Sequence, residues 1–166
     1  VTEKFYLDNI SMDKITVNTL LKELLEINEV ICIPIPASTL NNQAESVVRF
    51  LDDRTVLLAE IRDDSDFFQL RVEEIFKRHR IEIILLPDFK QSKFEQKKEA
   101  PVLENYMDYL HVGKTIVLPS YNNSINENAA ITFEKLFLEH SIHTIESTAL
   151  SQAGAELKSV AWNVLL

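Results

Sequence analysis

An apolar run at Thr55-Val56-Leu57-Leu58 recurs in character 60 residues later as Thr115-Ile116-Val117-Leu118, and the surroundings of each copy recur with it. Each run is short and bounded by polar residues, the pattern of a buried strand. A half-apolar segment precedes each: Val47-Val48-Arg49-Phe50-Leu51 and Tyr106-Met107-Asp108-Tyr109-Leu110. The intervening Asp52-Asp53-Arg54 and His111-Val112-Gly113-Lys114 then read as connections between neighbouring strands. A repeat of this length restricts the fold severely, because repeated units bury their apolar faces by stacking on one another.

A helical pattern follows each strand pair. Phe68, Val72, Ile75 and Phe76 lie on one face of the first helix, and Ala129, Phe133, Leu136 and Phe137 on one face of the second. Both follow clusters able to cap orphan N–H groups, Asp63-Asp64-Ser65-Asp66 and Asn122-Asn123-Ser124. An apolar strand then returns, as Ile81 to Pro87 in the first unit and the weaker Ile142-His143-Thr144-Ile145 in the second. The unit is strand, strand, helix, strand. The opening third carries the end of another copy: a helix through Leu20, Leu21, Leu24 and Leu25, then Val30-Ile31-Cys32-Ile33-Pro34, with a strand expected near Phe5-Tyr6-Leu7. This predicts one α/β domain over residues 1–166 with about three ββαβ modules: a partial one at 1–36, then 44–88, then 105–147 with a closing strand at 157–166. Residues 88–105, with Lys90, Lys93, Lys97 and Lys98 interleaved by Glu95 and Glu99, read as a solvated connection.

Composition excludes several function classes. The net charge of -9 repels phosphate backbones and anionic membrane surfaces and favours cationic ligands, so nucleic acid and membrane are not expected partners. With only Gly113 and Gly154, no glycine-rich phosphate loop can form, and no cofactor is expected. A single cysteine, Cys32, allows neither an intrachain disulfide nor a cysteine zinc site and suits a reducing, cytoplasmic location. Within VICIPI it reads as a small core residue. No apolar stretch approaches membrane-spanning length. The start on Val1 rather than methionine is expected of a fragment or a processed product. The four histidines, His79, His111, His140 and His143, fall at helix ends or connections; His140 with His143 would hold a metal only if other ligands converged, and none is expected.

Three segments together resemble the agmatine deiminase and bacterial peptidylarginine deiminase family. Ala44 to Leu57, with Arg49-Phe50 before the strand, is similar to that family's G-H-x-D segment followed by R-F and a strand. Asn105-Tyr106-Met107-Asp108-Tyr109-Leu110 and Thr115-Ile116-Val117-Leu118-Pro119 resemble its Y-x-N-[YF]-L segment and I-x-x-P strand. Gly154 to Asn163 resembles the closing G-G-x-[LI]-[HN]-C-x-[ST]-W-N segment. The resemblance spans nearly the whole chain but only the C-terminal half of such an enzyme. It implies a partial pentein, an α/β propeller of ββαβ blades around a central pocket.

The chemistry that the resemblance implies is attack of a cysteine on a guanidinium carbon, with histidine as acid and base and carboxylates gripping the nitrogens. Carried over position by position, Ser159 stands at the cysteine place, Gln43 at the histidine place and Glu45 at the nearby aspartate place. Lys158 replaces the histidine or asparagine before the nucleophile, and Asp108 replaces the asparagine of Y-x-N. An alkoxide is not accessible near neutral pH without an adjacent base, and an amide cannot serve as one. Were the last segment a strand, Lys158 would face away from Ser159. A deliberate cysteine-to-serine exchange would account for Ser159 alone. No catalytic residue is therefore expected; Gln43, Glu45, Asp108, Lys158 and Ser159 form a degenerate pocket, in which Glu45 and Glu156 either hold a guanidinium or are simply solvated. The closing Trp162 and Asn163 are read as core strand residues.

The leading expectation is a non-catalytic relative acting as a binding or interaction module. It would self-associate or pair with a missing domain, and could take a cationic, arginine-containing ligand. The alternative is an amidinohydrolase of agmatine or arginine deiminase type, completed by sequence or a partner outside this chain.

Overall fold

The computed structural model describes residues 1–35, 43–60, 66–89, 105–121 and 125–162. The chain divides into two compact units, Val1–Asp88 and Phe89–Leu166, each with one mixed three-stranded sheet.

In the first unit, α1 (Glu3–Asp8) and α2 (Lys14–Leu25) precede β1 (Val48–Phe50), β2 (Thr55–Ala59), α3 (Asp66–Arg78) and β3 (Glu82–Leu86). The strand expected at Phe5-Tyr6-Leu7 is instead helix α1. Lys4 and Asp8, one helical turn apart, pair at 2.8 Å, and Asn9 Nδ2 donates to the Phe5 carbonyl at 2.7 Å, closing the helix end. Three apolar residues carry no period that could tell strand from helix, so these local bonds decide. Asp13 caps α2, accepting from Ile15 N and Thr16 N at 2.9 Å each. The Val30 to Pro34 run makes one isolated parallel bridge, Thr2 with Ile33, rather than a strand. Cys32 there is half-buried, not core.

β2 is central, antiparallel to β1 and parallel to β3. Its Val56, Leu57 and Leu58 are fully buried. One face packs against the α3 stripe: Val56, Leu58, Phe68, Val72 and Phe76 form one core with Ile33 and Val47.

In the second unit, β4 (Leu110–Val112), β5 (Thr115–Ser120), α4 (Asn126–Leu136), β6 (Ser141–Glu146) and α5 (Thr148–Gln152) follow in order. β5 is central, antiparallel to β4 and parallel to β6. The expected strand at 106–110 begins as a 3-10 turn, Tyr106–Asp108, and pairing starts only at Leu110. His111 and Val112 therefore lie in β4, leaving Gly113 and Lys114 as a two-residue hairpin loop. Gly113 sits at φ +57, which a side chain would strain. His143 lies within β6. Phe133 and Phe137 stack with centroids 5.8 Å apart, and Tyr109 meets their edges at 5.1 and 5.6 Å.

The closing strand expected at 157–166 is, over its described part, a 3-10 turn at Leu157–Val160. Trp162 is 91% exposed, the reverse of a core residue. Asn163, the capping residues 63–65 and 122–124, and the charged connection from Lys90 onward lie outside the described residues. Among the described residues no helix is long and apolar enough to cross a membrane.

Candidate functional site

The residues singled out by the sequence fall into two groups. Gln43 and Glu45 belong to the first unit, where Gln43 leads into a 3-10 turn at Ala44–Ser46 that feeds β1. Both are exposed and line an open cleft of about 610 Å³, walled by Phe5, Ile31, Ile33, Val48, Phe50 and Phe76. Lys4 and Asp8 also line it and are already paired with each other.

Asp108, Glu156, Lys158 and Ser159 belong to the second unit and meet around the Leu157–Val160 turn. Asp108 closes its 3-10 turn only 2% exposed and accepts the N–H groups of Leu157 and Lys158, the latter at 3.0 Å. These bonds satisfy donors at the start of the turn and fix where it begins. Burial pushes the Asp108 carboxyl above the usual aspartate range. The two N–H bonds act against that shift, and the Glu156 charge adds to it.

Ser159 is held by its own turn. Its hydroxyl donates to the Glu156 carbonyl at 2.6 Å and accepts from the Glu156 N–H at 3.1 Å. The segment is not a strand, so the alternation expected to separate Lys158 from Ser159 does not apply. The Glu156 side chain accepts from Asn105 Nδ2 at 3.3 Å. Asn105 stands directly before Tyr106-Met107-Asp108. It also accepts from Met107 N at 3.1 Å, while its own N–H is received by the Tyr121 hydroxyl at 3.0 Å. A polar residue directly before Y-M-D, able to cap a turn, was the signal available for it. Tyr121 gave no such signal, since its partner lies 16 residues away.

Comparison with known proteins agrees with this architecture. The sequence model of the Porphyromonas-type peptidyl-arginine deiminase matches residues 1–164. A comparison with curated protein sequences gave no match. Among solved structures, the chain superposes on a cysteine-to-serine variant of the C. jejuni agmatine deiminase with substrate bound. There the TM-score is 0.77 at 19% identity, covering 98% of this chain and 51% of that one. A second C. jejuni agmatine deiminase structure gives 0.72 at 19% identity, covering 95% and 48%. The agmatine deiminase of Enterococcus faecalis gives 0.67 at 14%, covering 89% and 47%. The chain thus spans about half the length of these solved relatives, and at such identities the likeness is one of fold. On the match over residues 1–164, the chain belongs to the Porphyromonas-type peptidyl-arginine deiminase family.

Proposed function

We propose that this chain is a catalytically degenerate member of its family that binds rather than transforms, its two sheet units being blades of a partial pentein ring. The observation that carries the reading is the Ser159 hydroxyl, which is engaged in both directions by the Glu156 main chain. Serine at that position needs a base to become a nucleophile, and Gln43, at the position the family resemblance assigns to the histidine, cannot be one. The same order of pairing in both sheets, antiparallel then parallel around a central strand, supports the blade reading.

What it binds is argued from charge and exposure. A net charge of -9 with Glu45 in an apolar cleft suits a cationic, arginine-like group. Exposed Leu20, Leu24 and Leu25 on α2 suit a protein partner, in the first place a second copy of the chain, within the cytoplasm.

The test is a carbamoyl-product assay on the purified chain with agmatine, arginine and an arginyl peptide. No product is expected, and turnover abolished by Ser159→Ala would overturn the proposal.

A further inference from the structure

His111 and His140 stand 29 residues apart in sequence, yet their Nε2 atoms are 2.9 Å from each other. The Gly113 carbonyl oxygen lies 3.1 Å from the same His111 nitrogen. Their ring centroids are 4.8 Å apart with the planes inclined at 68°, so the rings are canted rather than head-on. Phe137 holds both by its edges, with centroids 6.0 Å from His111 and 5.5 Å from His140.

Only one arrangement of hydrogens serves both contacts, and it divides a single hydrogen between two acceptors. A hydrogen on His111 Nε2 would be shared between the Gly113 carbonyl and His140. A hydrogen on His140 Nε2 instead sets the His111 lone pair against that carbonyl. His140 Nδ1 is buried with no hydrogen-bond partner. Any ligand His140 takes must therefore come through Nε2, the atom turned toward His111.

We infer that His111 Nε2 and His140 Nε2, with the Gly113 carbonyl beside them, form a surface chelate for a divalent first-row transition ion, copper(II) above all. With metal–nitrogen bonds of about 2.05 Å, nitrogens 2.9 Å apart subtend about 90° at the metal. That is the cis angle of a tetragonal site, as copper(II) and nickel(II) prefer. A tetrahedral zinc ion would want the nitrogens about 3.3 Å apart. Coordination places the ring hydrogens on Nδ1. For His140 this is the tautomer already required when His111 donates, so binding leaves no additional group unpaired. No group of three or more His, Cys, Asp or Glu side chains converges among the described residues, so the remaining positions fall to the carbonyl and water. The ion would tie the β4–β5 hairpin loop to the connection entering β6.

The experiment titrates the full chain with copper(II) chloride and, separately, zinc chloride, by calorimetry and by paramagnetic resonance of the copper. The expected result is one copper per chain, a tetragonal spectrum split by two imidazole nitrogens, and zinc at least tenfold weaker. His111→Ala, His111→Gln and His140→Ala should each weaken copper at least tenfold, while His143→Ala leaves it unchanged. Circular dichroism confirms that each variant is folded, and the exposed His111→Gln keeps the test valid if His140→Ala is not. Absence of copper binding in the unmodified chain, binding that survives the His111 variants, or loss on His143→Ala would each overturn the assignment.

Discussion

Asp108 accepts the Lys158 N–H at 3.0 Å across 50 residues of chain, and with its second oxygen accepts that of Leu157. One buried carboxylate thus sets the start of the turn that carries Ser159. Asp108→Ala leaves two main-chain donors without their acceptor, which costs about 2–4 kcal/mol. Urea denaturation should show that loss.

The same carboxyl gives a pH prediction. Its folded value is raised, by burial first, so the folded state holds this proton more tightly than the unfolded chain. Stability from this group is present below the ordinary aspartate range and is lost as pH rises through the raised value. Asp108→Asn removes the titration but keeps only one acceptor oxygen, so one of the two N–H bonds is lost at every pH. The stability gap between the Asn variant and the unmodified chain, read by urea denaturation, should therefore narrow as pH rises above the ordinary aspartate range. A difference that stays flat or reverses would show that the two N–H bonds outweigh burial.

The strands and helices built around β2 and β5 were legible because their apolar residues recur with clear periods and at equivalent places. The α3 stripe of Phe68, Val72 and Phe76 and the α4 stripe of Ala129 and Phe133 are buried as that spacing predicts. What escaped was decided by single long-range bonds. The C-terminal segment looks apolar enough for a strand, but Asp108 draws its N–H groups into a turn from 49 and 50 residues away. Trp162, beyond that turn, stays outside the core. The histidine pair escaped likewise: sequence spacing draws attention to His140 with His143, whereas pairing of β4 and β6 on either side of β5 brings His111 to His140. The residues assigned to a degenerate pocket were legible only through resemblance, since neither composition nor period marks Gln43 or Ser159.

Tyr121 ties the beginning of that site to the core. Its hydroxyl receives the Asn105 N–H at 3.0 Å, and its ring meets Tyr106 edge-on at 5.4 Å. Tyr121→Phe keeps the ring contact and removes only the hydroxyl, so a loss of about 1 kcal/mol is expected. Asn105 amide exchange, followed by NMR, should speed up selectively. Unchanged protection there would show that Asn105 is held by its side-chain bonds alone.

Cys32 offers a chemical check on the first unit. Burial pushes its thiol up, with Lys14 only partly offsetting the shift. Thiolate is the reactive form, so labelling by a disulfide reagent near neutral pH should run slower than for a cysteine in an unstructured peptide. Full rate should return in denaturant. Fast labelling in the folded state would mean that Val1 to Glu3 does not stay paired with Ile31 to Ile33, whose bonds run from 2.9 to 3.0 Å.

The α2 surface carries the last prediction. Leu20, Leu24 and Leu25 fall on the same helix face as buried Val17, yet they are 40%, 78% and 61% exposed. Leaving such a stripe in water forgoes about 25 cal/mol for every Å² that a partner could cover. Self-repulsion at net charge -9 opposes association, so pairing of copies through this face should tighten as salt rises. Light scattering over a dilution series should show association that strengthens between low and high salt. Leu24→Lys places a charge on the stripe and should return the chain to monomer with its circular dichroism unchanged. A monomer at every concentration and salt level would remove the second copy as occupant, whereas association indifferent to Leu24→Lys would move the interface off α2.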